Sequence, residues 1–215
     1  QRGRFREFYQ ADIDVIGDGK LDITNEAEIP SIIYQTFTRL GLKRFQIRVN
    51  NRKILNGFYA MLGLTEQSGA IMRTVDKLDK IGPDKVRDLL LSDCGLREDQ
   101  AAEILKFIAI TGSNAEVLAA LEGYMGRHEL FDTGLSELKT VVKYLADFGV
   151  PEENFAVDLT IARGLDYYTG GCAGAAHDGG SGPGHQPVHP TPRRRSADPA
   201  LHRAEEVQGQ DELCG

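Results

Sequence analysis

The residues best equipped for chemistry lie in two short stretches. Near the start, Arg4, Arg6, Glu7, Phe8, Gln10, Asp12 and Asp14 gather cations, carboxylates, a carboxamide and an aromatic ring. Much later, Arg163, Asp166, Tyr167 and Tyr168 bring together a cation, a carboxylate and two phenols. Arginines suit anionic groups whose charge changes during a reaction. Carboxylate and carboxamide groups aimed from one surface select a polar ligand, because leaving them buried and unpaired penalises the wrong one. Alternation from Phe8 to Val15 puts Phe8, Gln10, Asp12 and Asp14 on one face of a strand, and Tyr9, Ala11, Ile13 and Val15 on the other. Taken singly, most of these residues have an ordinary reading. Arg4, Arg6 and Glu7 read as a solvated charge run, Phe8 and Tyr9 as strand residues, Tyr167 and Tyr168 as core or rim aromatics, and Arg163 as half of an ion pair. Asp14 stands apart, since a carboxylate facing a core needs a partner.

The elements that must position these groups follow from periodicity. Asn25 with Glu28 has the spacing of a capping box, and Ile29, Ile32, Ile33, Phe37 and Leu40 follow helical spacing until Gly41. Phe45, Ile47 and Val49 alternate with Gln46, Arg48 and Asn50 as a strand, and a short helical run through Leu55 and Met61 comes next. From about Thr65 to Met125 the pattern is helical throughout, punctuated by Gly82-Pro83, Gly95 and Gly112. Pro83 suits a first helical position, and Ser113 with Glu116 makes a second capping box. This stretch reads as an inserted helical module. Leu135, Leu138, Val142, Leu145 and Phe148 then mark a longer helix stopped by Gly149-Val150-Pro151. Phe155, Val157, Leu159 and Ile161 alternate against Ala156, Asp158, Thr160 and Ala162 as a strand running straight into Arg163.

After Gly170 the character changes. Four of the five histidines and five of the eight prolines fall there, with few large apolar residues and no sustained period. Residues 171–215 are therefore expected to be disordered, because burial cannot offset the entropy of ordering them.

Composition narrows the function classes. The chain has 215 residues, 41% hydrophobic, with a formal net charge of -7. That suffices for a buried core and argues against gripping nucleic acid by bulk charge, so any RNA contact must be local. No window approaches the apolar length of a membrane span and no signal-peptide layout is present, so a cytoplasmic location is expected. Cys94, Cys172 and Cys214 are odd in number and widely spaced, which indicates neither a disulfide framework nor a cysteine zinc site. Asp14, Asp18 and Gly19 resemble part of a calcium loop, but Ile16 and Asn25 stand where oxygen-rich or bidentate ligands are needed. His185 and His189 are separated by Pro187 and lack a second ligand pair. Arg193-Arg194-Arg195 reads as a solvated run.

Taken together, the two stretches resemble a known family. Gln1-Arg2-Gly3-Arg4-Phe5-Arg6-Glu7-Phe8-Tyr9-Gln10 followed by Ala11-Asp12-Ile13-Asp14-Val15-Ile16-Gly17 resembles the second half of motif 2 of class II histidine-tRNA ligases. Ala162-Arg163-Gly164-Leu165-Asp166-Tyr167-Tyr168-Thr169-Gly170 resembles their histidine-binding signature. The resemblance covers nearly all of residues 1 to 170. It implies an α+β fold: an incomplete antiparallel class II synthetase sheet with flanking helices and a helical insertion. The catalytic core would span 1–64 and 126–170, the insertion 65–125, and a non-family tail 171–215.

The resemblance further implies ATP-dependent activation of histidine and its transfer to tRNA(His). Attack of a carboxylate on the α-phosphate of ATP brings two anions together, so cations are required. Arg4 would reach the distal phosphates and Phe8 would stack on adenine. Arg163, the main catalytic candidate, would contact the α-phosphate and the substrate carboxylate. Gln10 would hold the amino group of histidine, with Asp14 and Tyr168 bracketing the ring nitrogens and Tyr167 beside them. ATP is expected as substrate with Mg2+, no metal ligand is expected from the chain itself, and the family is expected to form homodimers. Arg73, Lys77, Lys80, Lys85 and Arg87 would approach the tRNA acceptor end, though a solvated helix surface explains most of them more simply.

The chain reads as an internal fragment, expected to be inactive alone. The change after Gly170 is expected to reflect a reading-frame shift or assembly error. Two other classes compete: a noncatalytic synthetase-like regulatory subunit of histidine biosynthesis, against which the stretch from Thr65 to Met125 counts, and a sensor of uncharged tRNA.

Overall fold

The computed structural model describes residues 12–19 and 21–161, together with the backbone of 171–176. All of these fall within one compact unit. In chain order the elements are helix α1 (Thr24–Arg39), strand β1 (Gln46–Asn51) and helices α2 (Arg52–Met61), α3 (Ser68–Val75), α4 (Leu78–Ile81), α5 (Pro83–Ser92), α6 (Glu98–Ile108), α7 (Asn114–Glu122) and α8 (Glu129–Asp147). A 3-10 turn (Glu152–Asn154) then leads into strand β2 (Phe155–Val157), and strand β3 (Gly171–Ala176) follows.

The described part is helix-rich around a small sheet ordered β2-β1-β3. β1 is central. It pairs parallel with β2, Ile47 opposite Phe155 and Val49 opposite Val157, and antiparallel with β3, Gln46 opposite Ala176 and Asn51 opposite Gly171. The sheet is thus mixed, where an antiparallel one was expected. The chain leaves β1 into α2 and returns to β2 only after α8, and a crossover of that length permits a parallel neighbour.

Ile47 and Val49 of β1 and Phe155 and Val157 of β2 face a core that also holds Ile54, Leu55 and Phe58 of α2 and Phe131, Leu135, Leu138 and Leu145 of α8. Ile71, Val75, Leu90, Ile104 and Phe107 from the helical stretch belong to the same cluster. The Phe58 and Phe107 rings stack with centroids 3.8 Å apart, and Tyr124 meets both edge-on. Residues 65–125 therefore share one core with the elements on either side.

α2 and α8 approach closely because each has a glycine at the crossing. A Cβ on Gly57 would lie 2.5 Å from the Phe131 backbone nitrogen, and one on Gly134 2.7 Å from that of Ile54. Helix ends follow their local chemistry. Pro83 begins α5. Ser113 and Glu116 form the expected capping box: the Ser113 backbone N–H donates to Glu116 Oε2 at 2.8 Å, and the Glu116 N–H donates to Ser113 Oγ at 3.3 Å. The hydrogen bonds from the Ser113 backbone and hydroxyl hold the Glu116 carboxyl below the usual range.

Four other expectations need correction. Asn25 and Glu28 do not cap α1; the helix starts at Thr24, whose N–H donates to Asp22 Oδ1 at 2.9 Å, ahead of the start that a cap at Asn25 would give. Residues 12–15 of the expected first strand carry no regular structure, and Ile13 is 50% exposed, so no packed face rewards their alternation; Phe8 to Ala11 lie outside the described residues. β2 ends at Val157, although Leu159 and Ile161 are buried as their alternation suggested. Asp158 Oδ1 accepts from the Thr160 N–H at 2.9 Å and its hydroxyl at 2.6 Å, an Asx turn that carries the chain out of the ladder. Finally, residues 171–176, expected to be disordered, form β3. Backbone pairing with β1 supplies there what a run of glycine, alanine and cysteine could not announce by apolar period.

Candidate active site at the end of the central strand

β1 ends in two asparagines with different tasks. Asn51 caps α2: its Oδ1 accepts from the Lys53 N–H at 2.9 Å, and its Nδ2 donates to Glu137 Oε2 on α8 at 2.8 Å. Lys53 Nζ pairs with the other oxygen of the same carboxylate. Strand end, helix start and α8 are thereby tied at one point.

Asn50 faces the incoming chain instead. Its Nδ2 donates to the Ile161 carbonyl at 2.9 Å and to that of Leu159 at 3.5 Å, while its Oδ1 accepts from the Asn51 N–H at 2.8 Å. Beside it, Arg48 Nη1 lies 3.1 Å from Asp158 Oδ2 and 3.6 Å from Asp79 of α4. Thus β1, the turn after β2 and the helical stretch meet at one arginine.

These contacts frame residues 162–170, which join Ile161 to Gly171. Ile161 hydrogen-bonds to Asn50, and Gly171 stands opposite Asn51 in the β1–β3 register. Both flanks of the Arg163-bearing stretch are anchored at the C-terminal end of β1. Among the candidate residues, Asp14 lies in the exposed, irregular run from 12 to 17, away from any packed face. Arg4, Phe8, Gln10, Arg163, Tyr167 and Tyr168 lie outside the described residues. The helical-stretch cations Arg73, Lys77, Lys80, Lys85 and Arg87 are exposed, and Arg87 pairs with Glu98. Among the described residues no group of three or more His, Cys, Asp and Glu gathers to hold a metal, and no helix there is long and apolar enough to cross a membrane.

Sequence reasoning missed Asn50, Arg48 and Asp158 as organisers of this junction. A signal did exist: two consecutive asparagines at the end of an apolar alternation, where burial demands hydrogen-bond partners.

Comparisons with known proteins agree with this framework. The family model described as Histidyl-tRNA synthetase matches residues 1–183. The chain is 51% identical over 170 residues to the histidine-tRNA ligase of Clostridium tetani, covering 79% of this chain and 38% of that protein. It is 45% identical over 170 residues to that of Thermobifida fusca, with the same two coverages. A histidyl-tRNA synthetase structure from Nostoc sp. PCC 7120 superimposes with a TM-score of 0.70 at 38% identity, over 74% of this chain and 37% of that one. At 20% identity and a TM-score of 0.59, a structure from Bacillus halodurans titled as an ATP phosphoribosyltransferase regulatory subunit/histidyl-tRNA synthetase shares the fold. The chain spans well under half the length of the relatives it matches. With a family match over most of its residues and an identity of 51% to one of its relatives, the chain belongs to the histidyl-tRNA synthetase family.

Proposed function

We propose that this chain serves the ATP-dependent activation of histidine to histidyl-adenylate and its transfer to tRNA(His). The observation that carries this reading is that both chemically equipped stretches, 1–17 and 162–170, fall inside the family match over residues 1–183. Arg163 neutralises charge where the histidine carboxylate meets the α-phosphate, Arg4 holds the distal phosphates and Phe8 stacks on adenine. Gln10 takes the amino group of histidine, and Asp14, Tyr167 and Tyr168 present polar atoms to the imidazole. Mg2+ arrives with ATP as part of the substrate; the described residues offer no ligand cluster for it, and no step is routed through it.

The division into a catalytic core at 1–64 and 126–170 and a helical insertion at 65–125 belongs to the same reading. The exposed Arg73, Lys77, Lys80 and Lys85 support an approach of the helical stretch to tRNA. A homodimer acting in the cytoplasm completes the proposal. The regulatory-subunit alternative has a likeness of fold at 20% identity behind it and is not preferred.

Calorimetric titration of the chain with a non-hydrolysable histidyl-adenylate analogue tests this reading. Saturable binding, displaced by histidine together with ATP, is the expected outcome. Arg163→Ala is expected to weaken the analogue on the order of a hundredfold and histidine alone far less, since the analogue carries the anionic group that Arg163 holds. No binding would contradict the reading, and equal losses for both ligands would remove Arg163 from its role.

A further inference from the structure

Two buried asparagines grip the run that leads into residues 162–170. Asn114, the first residue of α7, works from the outer edge of β2: its Oδ1 accepts from the Val157 N–H at 2.8 Å and its Nδ2 donates to the Phe155 carbonyl at 3.3 Å. Asn50, 2% exposed, works from the β1 side and further along the chain. The Asp158 N–H still bonds to the Val49 carbonyl at 3.0 Å, as a ladder residue would. Beyond it the Asx turn lifts the backbone away, and the Asn50 carboxamide reaches across to the carbonyls of Leu159 and Ile161.

The Asn50 amide is employed at both ends. Two carbonyl oxygens need donors on one side and the Asn51 N–H needs an acceptor on the other, which fixes the orientation of the group. Aspartate has the same shape and keeps the acceptor but offers no donor when ionised. It would set negative charge against two carbonyl oxygens in a buried place.

We infer that Asn50 is a positioning residue: by holding the Ile161 carbonyl it sets the register in which the chain enters residues 162–170, and so where Arg163, two residues on, is presented. This rests on the reading of Arg163 given above. Asn50 touches no substrate in this role and acts only through the backbone it holds.

The test uses the full 215-residue chain with Asn50→Asp, and Asn50→Ala as the variant read if the carboxylate prevents folding. The first measurement is amide hydrogen exchange without any ligand. Exchange in peptides covering 158–170 is expected to rise tenfold or more, while peptides from α2 and α8 keep their protection. Unchanged exchange at 158–170, or a uniform rise throughout the chain, overturns the assignment. This arm needs no ligand to bind, so it is read even if the histidine reading fails.

The second measurement is a double-mutant cycle on the histidyl-adenylate analogue. Asn50→Asp alone is expected to weaken binding on the order of tenfold to a hundredfold, and to add little in the Arg163→Ala background, because both changes remove the same contact. Additive losses would mark Asn50 as merely structural and overturn the inference. An analogue that fails to bind the unmodified chain counts against the proposed function, and the exchange result then decides the role of Asn50.

Discussion

Tyr59 and Asn50 are both polar and both buried, yet their side chains are treated differently. Asn50 has partners for its donors and its acceptor. The Tyr59 hydroxyl has none among the described residues and is fully enclosed. Burial pushes its phenol above the usual range, and Cys94 adds to the effect. A buried hydroxyl without a partner costs stability. Tyr59→Phe, which removes that atom and keeps the ring, is expected to be neutral or to stabilise the chain by about 1 kcal/mol in urea unfolding. A loss of more than that would show that the hydroxyl has a partner. None of this was legible beforehand: Tyr59 read simply as part of a helical run, and which of its atoms finds a partner is decided by tertiary packing. The same holds for Asn50, whose type was visible but whose two carbonyl partners lie more than a hundred residues away in sequence.

At the scale of elements, periodicity captured what local physics controls. α2, α8 and β1 lie where apolar spacing put them, α1 overlaps its expected run but starts at Thr24 instead of after a cap at Asn25, and Pro83 and the Ser113–Glu116 box mark helix starts as their chemistry requires. It failed where pairing across the sheet decides. The alternation from Phe155 to Ile161 reports burial correctly, but the Asp158 turn ends the ladder after Val157. β3 is held by β1 without an apolar period of its own. Packing between helices was equally hidden, because a glycine in a helical run is only a weak helix former until its neighbour is known. Gly134 faces the Ile54 backbone so closely that Gly134→Ala forces α2 and α8 apart. The expected cost is about 1–3 kcal/mol of unfolding free energy, against a small gain from helix propensity. A stabilised variant would mean that the helices do not cross at that distance.

For the whole molecule, one core joins the helical stretch to the sheet, and the sheet's central strand anchors both flanks of the Arg163-bearing stretch. Family membership was legible from the two motifs at 1–17 and 162–170 together. How the described residues hold the flanks of the second was not, since Asn50, Arg48 and Asp158 belong to neither. The central proposal is that this chain carries a site that reads histidine. Its most direct measurement is the affinity of the chain for adenylate analogues that differ only in the amino acid. The proposed roles of Gln10, Asp14, Tyr167 and Tyr168 predict that the histidyl analogue binds more tightly than the prolyl or alanyl analogue by a factor on the order of 10⁴. Equal affinity for the three, with binding governed by the adenylate part alone, would contradict it.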